Sequence, residues 1–276
     1  MHRSLLVLPL LAACTPEPVP VALELHAHTG TAPATCGADV TLGTPATTGQ
    51  LADARMFVSH VQMRDADGSW VDVELDESAW QHDSVVLLDW EDGTGACADS
   101  GTADTNDTIR GTLPAGDYDA VRFDVGVPHS QNHVDATLAP APLNVPGMFW
   151  TWQGGFKFVR VDFVSEAGRF NVHVGSTMCD GATAVDPSTS CDRSNRASIV
   201  VEGLAGPEDA VHLDLAQLVA GVDITLNTPD SPPGCMSAPI EPDDCTPVFA
   251  ALGLDFTTGS CDGECAGQSV FESGEE

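Results

Sequence analysis

The stretch "FKFVRVDFVSEAGRFNVHV" (residues 156–174) decides the fold. Aromatic and β-branched residues dominate Phe156 to Phe163 and Phe170 to Val174, and a Ser-Glu-Ala-Gly cluster interrupts them. That pattern predicts two strands separated by a turn. Similar β-rich runs occur at Val19 to His28, Arg55 to Met63, Trp70 to Leu75, Ser84 to Trp90, Tyr118 to Val125 and Ala197 to Val201, with Gly, Asp, Pro and Ser clusters between them. Only Val211 to Ala220 and Pro247 to Gly253 read as short helices. Many short strands with turn signals between them predict an all-β chain, an antiparallel β-sandwich-like single domain with long disulfide-braced loops.

Two loops resemble calcium sites only superficially. In Asp65-Ala66-Asp67-Gly68 the glycine stands at the fourth position of the loop, whereas an EF-hand needs it at the sixth, so the segment reads as a hairpin turn. The acidic run from Glu91 to Asp107, with Cys97 inside it, reads as a polar loop stapled by a disulfide.

The N-terminus is a targeting segment. "MHRSLLVLPLLAAC" is a basic start, a short apolar run and small residues before a cysteine, the pattern of a bacterial lipoprotein signal. Residues 1–13 are expected to be removed and Cys14 to carry the lipid. Residues 14–20 form a proline-rich tether, residues 21–265 the β domain, and residues 266–276 a flexible acidic tail. No other apolar run approaches the roughly 20 residues of a spanning helix. The expected location is outside the cytoplasm: lipid-anchored at the periplasmic side of the inner or outer membrane, or at the cell surface, touching the membrane through the lipid only.

Charge and cysteine usage narrow the partners. With 41 acidic residues against 10 basic ones, the formal net charge is −31, a field that repels phosphate backbones and argues against nucleic acid. It is equally the charge of a well-solvated surface. Of nine cysteines, eight remain beyond Cys14, an even number suited to an oxidising compartment. Spacing suggests Cys179 with Cys191, Cys235 with Cys245, Cys261 with Cys265, and by elimination Cys36 with Cys97, one of many connectivities that eight cysteines allow. No C-x-x-C pair is present, so zinc–thiolate chemistry is the weaker reading.

The histidines carry the candidate chemistry. His26 and His28 alternate on a strand and share a face. His129 and His133 flank Ser130-Gln131-Asn132 after a strand end, and His173 lies near another strand end. Imidazoles gathered from separate strands suit copper, zinc, iron or nickel, but taken singly each is an ordinary surface or core histidine. There is no G-x-S-x-G elbow, H-E-x-x-H, Walker loop or Rossmann glycine pattern, and no spacing nominates a nucleophile beside His133 or His173, so the chain does not read as an enzyme. A metal-free structural or adhesive surface lipoprotein of the same fold is the alternative.

Trp150 and Trp152, in "GMFWTWQGGFKF" (residues 147–158), put two indoles one residue apart, and core packing alone would explain them. Their context adds more. "MFVSHVQM", "GVPHSQNHVD", "APLNVPGMFWTWQGGFKFVRVDF", "FNVHVGSTMC", "SCDRSNRASIVV" and "HLDLAQL", in that order, resemble the MbnP-like family, the metallo-mystery pair proteins with a four-cysteine motif. The resemblance runs from about Val21 to Leu254, and its W-x-W followed by Gln-Gly is the most specific part.

The resemblance implies an exported copper-binding protein, holding Cu(I) or a Cu(I)/Cu(II) mixture, whose first W-x-W tryptophan is oxidised to kynurenine by a partner diheme enzyme of the MauG-like cytochrome c peroxidase type. Carried over by position, Trp150 is the modified residue and Trp152 its unmodified companion. His133 and His173 are implied as ligands, and the N-terminal strand is expected to add His26 or His28. His60 and His129 rank behind them. The chain departs from the family in its extreme acidity and in having cysteines beyond the expected four.

Overall fold

The computed structural model describes residues 17–151, 153–181, 187–261 and 263–274. The signal segment, Cys14 and Trp152 lie outside the described residues.

Ten strands carry the architecture: β1 (Val19–Thr29), β2 (Thr47–Asp65), β3 (Val85–Asp89), β4 (Thr108–Leu113), β5 (Tyr118–Val125), β6 (Val159–Ser165), β7 (Gly168–Val174), β8 (Ala197–Glu202), β9 (Ala210–Asp214) and β10 (Phe271–Ser273). They form two layers. The smaller sheet runs β10-β9-β1-β4, with Glu74–Leu75 at its edge. The larger runs β8-β5-β2-β6-β7, with Gly234–Cys235 beyond β7 and β3 also paired to the long strand β2. Strand alternation decides which side chains meet between the layers. Leu23, Leu25, Val211 and Leu213 of the small sheet pack against Met56, Val58, Val161, Phe163, Phe170 and Val172 of the large one. A second apolar cluster, with Phe57, Leu87, Met148, Phe156 and Phe158, lies on the far face of the large sheet beneath the 127–158 segment. That covered far face is where the candidate site is built.

The all-β sandwich-like fold follows the expectation, and all four disulfides suggested by spacing are formed: Cys36–Cys97, Cys179–Cys191, Cys235–Cys245 and Cys261–Cys265. The Asp65 turn is a hairpin turn, its Oδ1 accepting hydrogen bonds from the backbone N–H groups of Asp67 and Ser69.

Other details differ. The sheets are not wholly antiparallel, since β1 pairs β9 in parallel and β7 pairs Gly234–Cys235 in parallel. The run read as a helix from Val211 is strand β9 followed by a short 3-10 turn, Leu215–Val219, started by the Asp214 carboxylate accepting from Ala216 N–H. The helix read from Pro247 begins five residues earlier, at Pro242, where a proline at the start and Asp243 and Asp244 in the first turn suit a helix N-terminus. The segment after Cys265, expected to fray, contributes β10, and Phe271 is buried against Phe123. Among the described residues, no helix is long and apolar enough to cross a membrane.

Candidate metal centre

The site begins with a polar row on the far face of the large sheet. In β7, Val172 and Val174 point into the sandwich, so His173 points the other way, beneath the 127–158 segment. Its Nε2 lies 2.8 Å from Asp162 Oδ1 on β6. Asp162 is buried, and burial alone pushes its carboxyl up. The hydrogen bond from His173 and the charges on His173, Arg160 and Arg169 outweigh that, leaving the group below the usual carboxylate range. With Asp162 ionised, Nε2–H donates to the carboxylate, and Nδ1 is the ring nitrogen left to face another partner.

The row continues into a buried ion network. Arg160 bridges Asp162 and Asp53. Arg55 donates Nε to Asp53 Oδ1 at 2.9 Å and faces Glu91 at 3.8 Å. Burial first, and then the charge of Glu91, pushes the neighbouring Asp89 carboxyl up to about 7. Burial likewise lowers Lys157 to about 8, with Arg160 adding repulsion. Two of these cations hold the loop ahead of Trp150, since Lys157 Nζ and Arg160 Nη1 both donate to the Gly147 carbonyl, at 2.8 and 3.1 Å.

Trp150 sits on a tight hairpin in which Phe149–Thr151 pairs with Gly155–Phe156. Gly155 is obligatory there: its φ is +71°, and a Cβ would fall 2.4 Å from the Asn132 carbonyl oxygen. The buried Asn132 locks the hairpin from the other side, its Oδ1 accepting Phe156 N–H at 2.8 Å. The indole packs edge-on to the His173 imidazole, with ring centroids 6.1 Å apart. Beside it opens a cleft of about 310 Å³ lined by Trp150, Gln153, Thr177, Met178, Cys179 and Met236.

The Cys179–Cys191 disulfide joins this cleft to a second pair of imidazoles. His129 and His133 lie with ring centroids 4.7 Å apart, and Cys191 Sγ is 3.9 Å from His129 Nδ1 and 3.5 Å from His133 Nε2. The potential ligand atoms of His129, His133 and Cys191 fall within 4.8 Å of one another, but the sulfur is bonded to Cys179 and offers no thiolate. Imidazole is the donor that remains. His129 Nε2 is buried without a hydrogen-bond partner among the described residues. The disulfide thus has Trp150 in the cleft beside Cys179 and His129 and His133 beside Cys191, while His173 reaches this group through its packing on Trp150 and is not among the ligand atoms gathered within 4.8 Å.

His26 and His28 are elsewhere. Leu25 and Ala27 fill the core, so the period of two that gives the histidines a common face turns that face outward from the small sheet. The structure therefore does not bring them to Trp150 and His173. They lie instead against His212 of β9, which the sequence reading overlooked because its segment was read as a helix. His60 is half exposed and bonded to Asp124, also away from Trp150. Asp162 carries no signature in the sequence; only its place in register with Asn171, two residues from His173 on the paired strand, reveals it.

Comparison with known proteins agrees with this architecture. The MbnP family model matches residues 18–237. Among solved structures, MbnP from Methylosinus trichosporium superposes with a TM-score of 0.81 at 31% sequence identity, covering 92% of this chain and 98% of that one. No curated protein sequence matches the chain significantly.

Proposed function

The chain belongs to the MbnP family, and from that premise we propose that it is an exported copper-binding protein whose metal is held beside Trp150. His173, His133 and His129 are the imidazoles that would hold the ion. The observation that carries this reading is the pairing of Trp150 with a histidine whose far nitrogen is tied to a buried carboxylate. A carboxylate behind an imidazole fixes its tautomer and raises the basicity of the free nitrogen, the usual arrangement behind a metal-ligating histidine. The orphaned His129 Nε2 and the locked disulfide fit the same ion, because neutral imidazoles without thiolate suit copper.

In this reading a MauG-like diheme partner, with dioxygen or peroxide as oxidant, converts Trp150 to kynurenine: two oxygens enter as the indole C2–C3 bond breaks, and hydrolysis releases C2 as formate. The change replaces an indole, whose only polar group is an N–H donor, by an aniline amine and a ketone, both with lone pairs for a metal. Copper then supplies a soft, exchangeable cation to be stored or handed on, and the chain acts by binding. Its own residues orient the donors: Asp162 holds His173, Asn132 holds the hairpin, and the Gly147 carbonyl anchors the loop to Lys157 and Arg160. The acidic surface would steer a basic face of the partner. Four disulfides fit an oxidising compartment, and a lipid on Cys14 would tether the chain there.

Mass spectrometry and metal analysis test the reading on protein made together with its modifying partner. The peptide carrying Trp150 is expected to be heavier by two oxygens less one carbonyl, about 4 Da, and Trp150→Phe is expected to lose its copper(I). Unchanged copper(I) content in Trp150→Phe, or copper(I) bound by protein with an unmodified Trp150, overturns it.

A further inference from the structure

The outer face of the small sheet carries three imidazoles that the Trp150 site does not use. β1 presents His26 and His28 two residues apart, and the parallel register of β1 with β9 sets His212 directly across from His26. The His28 and His212 rings stack, with centroids 4.9 Å apart and planes within 16°, while His26 meets His212 edge-on at 5.3 Å. Leu25, Ala27, Val211 and Leu213 fill the core behind them, so all three side chains are confined to one outward patch.

Several features of the patch point to a ligand. His28 Nε2 is buried yet has no hydrogen-bond partner among the described residues. A buried ring nitrogen without a partner is uncommon and asks for an explanation such as an ion. His26 Nε2 is engaged by Glu24 Oε2 at 2.7 Å, which leaves Nδ1 as its remaining nitrogen. Glu272 on β10 stands opposite His212 in the antiparallel register, a second carboxylate beside the cluster. Carboxylates behind imidazoles are the outer-sphere arrangement of metal-binding histidines.

We propose that His26, His28 and His212 form a second metal site, separate from Trp150, that takes one divalent ion of the zinc or copper(II) class. Three neutral imidazoles select such ions over magnesium or calcium, which prefer oxygen donors. As placed, the ring nitrogens of the three do not all lie within 4.8 Å of one another, so binding requires the half-buried rings to rotate about their side-chain torsions and turn one nitrogen each toward a shared ion. The fourth position faces solvent, so the ion is exchangeable, and the chain's net charge of −31 raises the local concentration of cations at the patch. Because the site lies on the opposite layer, it needs no modification of Trp150.

The test is equilibrium dialysis against zinc at neutral pH, using the exported chain made without any modifying partner. One zinc per chain is expected, with affinity weakened about tenfold or more in His28→Gln and in His212→Gln and unchanged in Trp150→Phe and His133→Gln. Histidine ring resonances of the wild-type chain, followed by NMR during the same titration, give a readout that does not depend on any variant folding. Those of His26, His28 and His212 are expected to shift together. Equal zinc affinity in His212→Gln, equal loss in Trp150→Phe, or shifts confined to His129 and His133 or to the exposed Glu77–His82–Asp83 group, would each refute the second site.

Discussion

The two outer faces of the sandwich both carry histidines, and they treat them differently. On the large sheet, His173 is buried, tied to Asp162 and covered by the segment that carries Trp150. On the small sheet, His26, His28 and His212 stand half-exposed on bare strands, with only carboxylates beside them. The first face has been built up by loops, a disulfide and a charged network. The second relies on strand register alone. The contrast separates an enclosed arrangement, where each polar group constrains the next, from an open one, where side chains can be changed at little structural cost.

The largest way to break the contrast is Arg55→Met. Asp53 and Glu91 lie fully buried beside Arg55, so removing the cation takes the guanidinium from Glu91 and leaves Asp53 with Arg160 alone. A loss of about 3–5 kcal/mol is expected in urea unfolding. A loss below 1 kcal/mol would mean that the network does not brace the covered face.

Asp89→Asn acts on the same face with the opposite sign. Folding raises this carboxyl from 3.8 to about 7, so the folded chain retains a proton that the unfolded chain releases. That contribution is fully present below pH 3.8 and is lost as pH rises toward 7. Asparagine keeps the acceptor for Glu91 N–H without the charge. The variant is therefore expected to gain on the order of 2–4 kcal/mol over wild type at high pH and nothing at low pH, measured by urea midpoints across pH. A pH-independent difference would rule out the raised carboxyl.

Asp162→Asn sharpens the functional side of the comparison. Loss of the carboxylate behind His173 is expected to weaken copper binding about tenfold, read by competition with a copper(I) chelator. Unchanged affinity would remove His173 from the ligand set. The smallest effect is expected on the open face, where Glu24→Gln breaks an exposed pair with His26 and should change stability by no more than about 0.5 kcal/mol. A larger change would show that the patch is structural.

Legibility followed the strength of the local pattern. Tyr118–Val125 was readable to the residue because its alternation is clean and its ends are marked by Gly-Asp and Gly-Val-Pro. Thr108–Leu113 was missed because Gly111 interrupts the pattern, and that glycine answers to a tertiary demand, a Cβ there falling 2.4 Å from the Glu74 carbonyl oxygen. Phe271 was missed because a polar tail gives no local reason to pair; only the open edge of β9 does. At the site, the nearness of Trp150 to His173 came from resemblance to a family, since no periodicity links residues on a hairpin and a distant strand. The placing of His26 and His28 was legible in principle, for the apolar Leu25 and Ala27 already determine which way their neighbours turn.

The parallel pairing of β1 with β9 also has a temporal side. A chain synthesised amino end first delivers β1 early, yet one neighbour of that strand, β4, begins at Thr108 and the other, β9, only at Ala210. The earliest strand to emerge thus becomes an interior member of its layer and waits, with one rim unsatisfied, until most of the polypeptide has followed. Such late closure is slow and exposes a sticky edge meanwhile, a hazard that the abundance of negative charge helps to blunt.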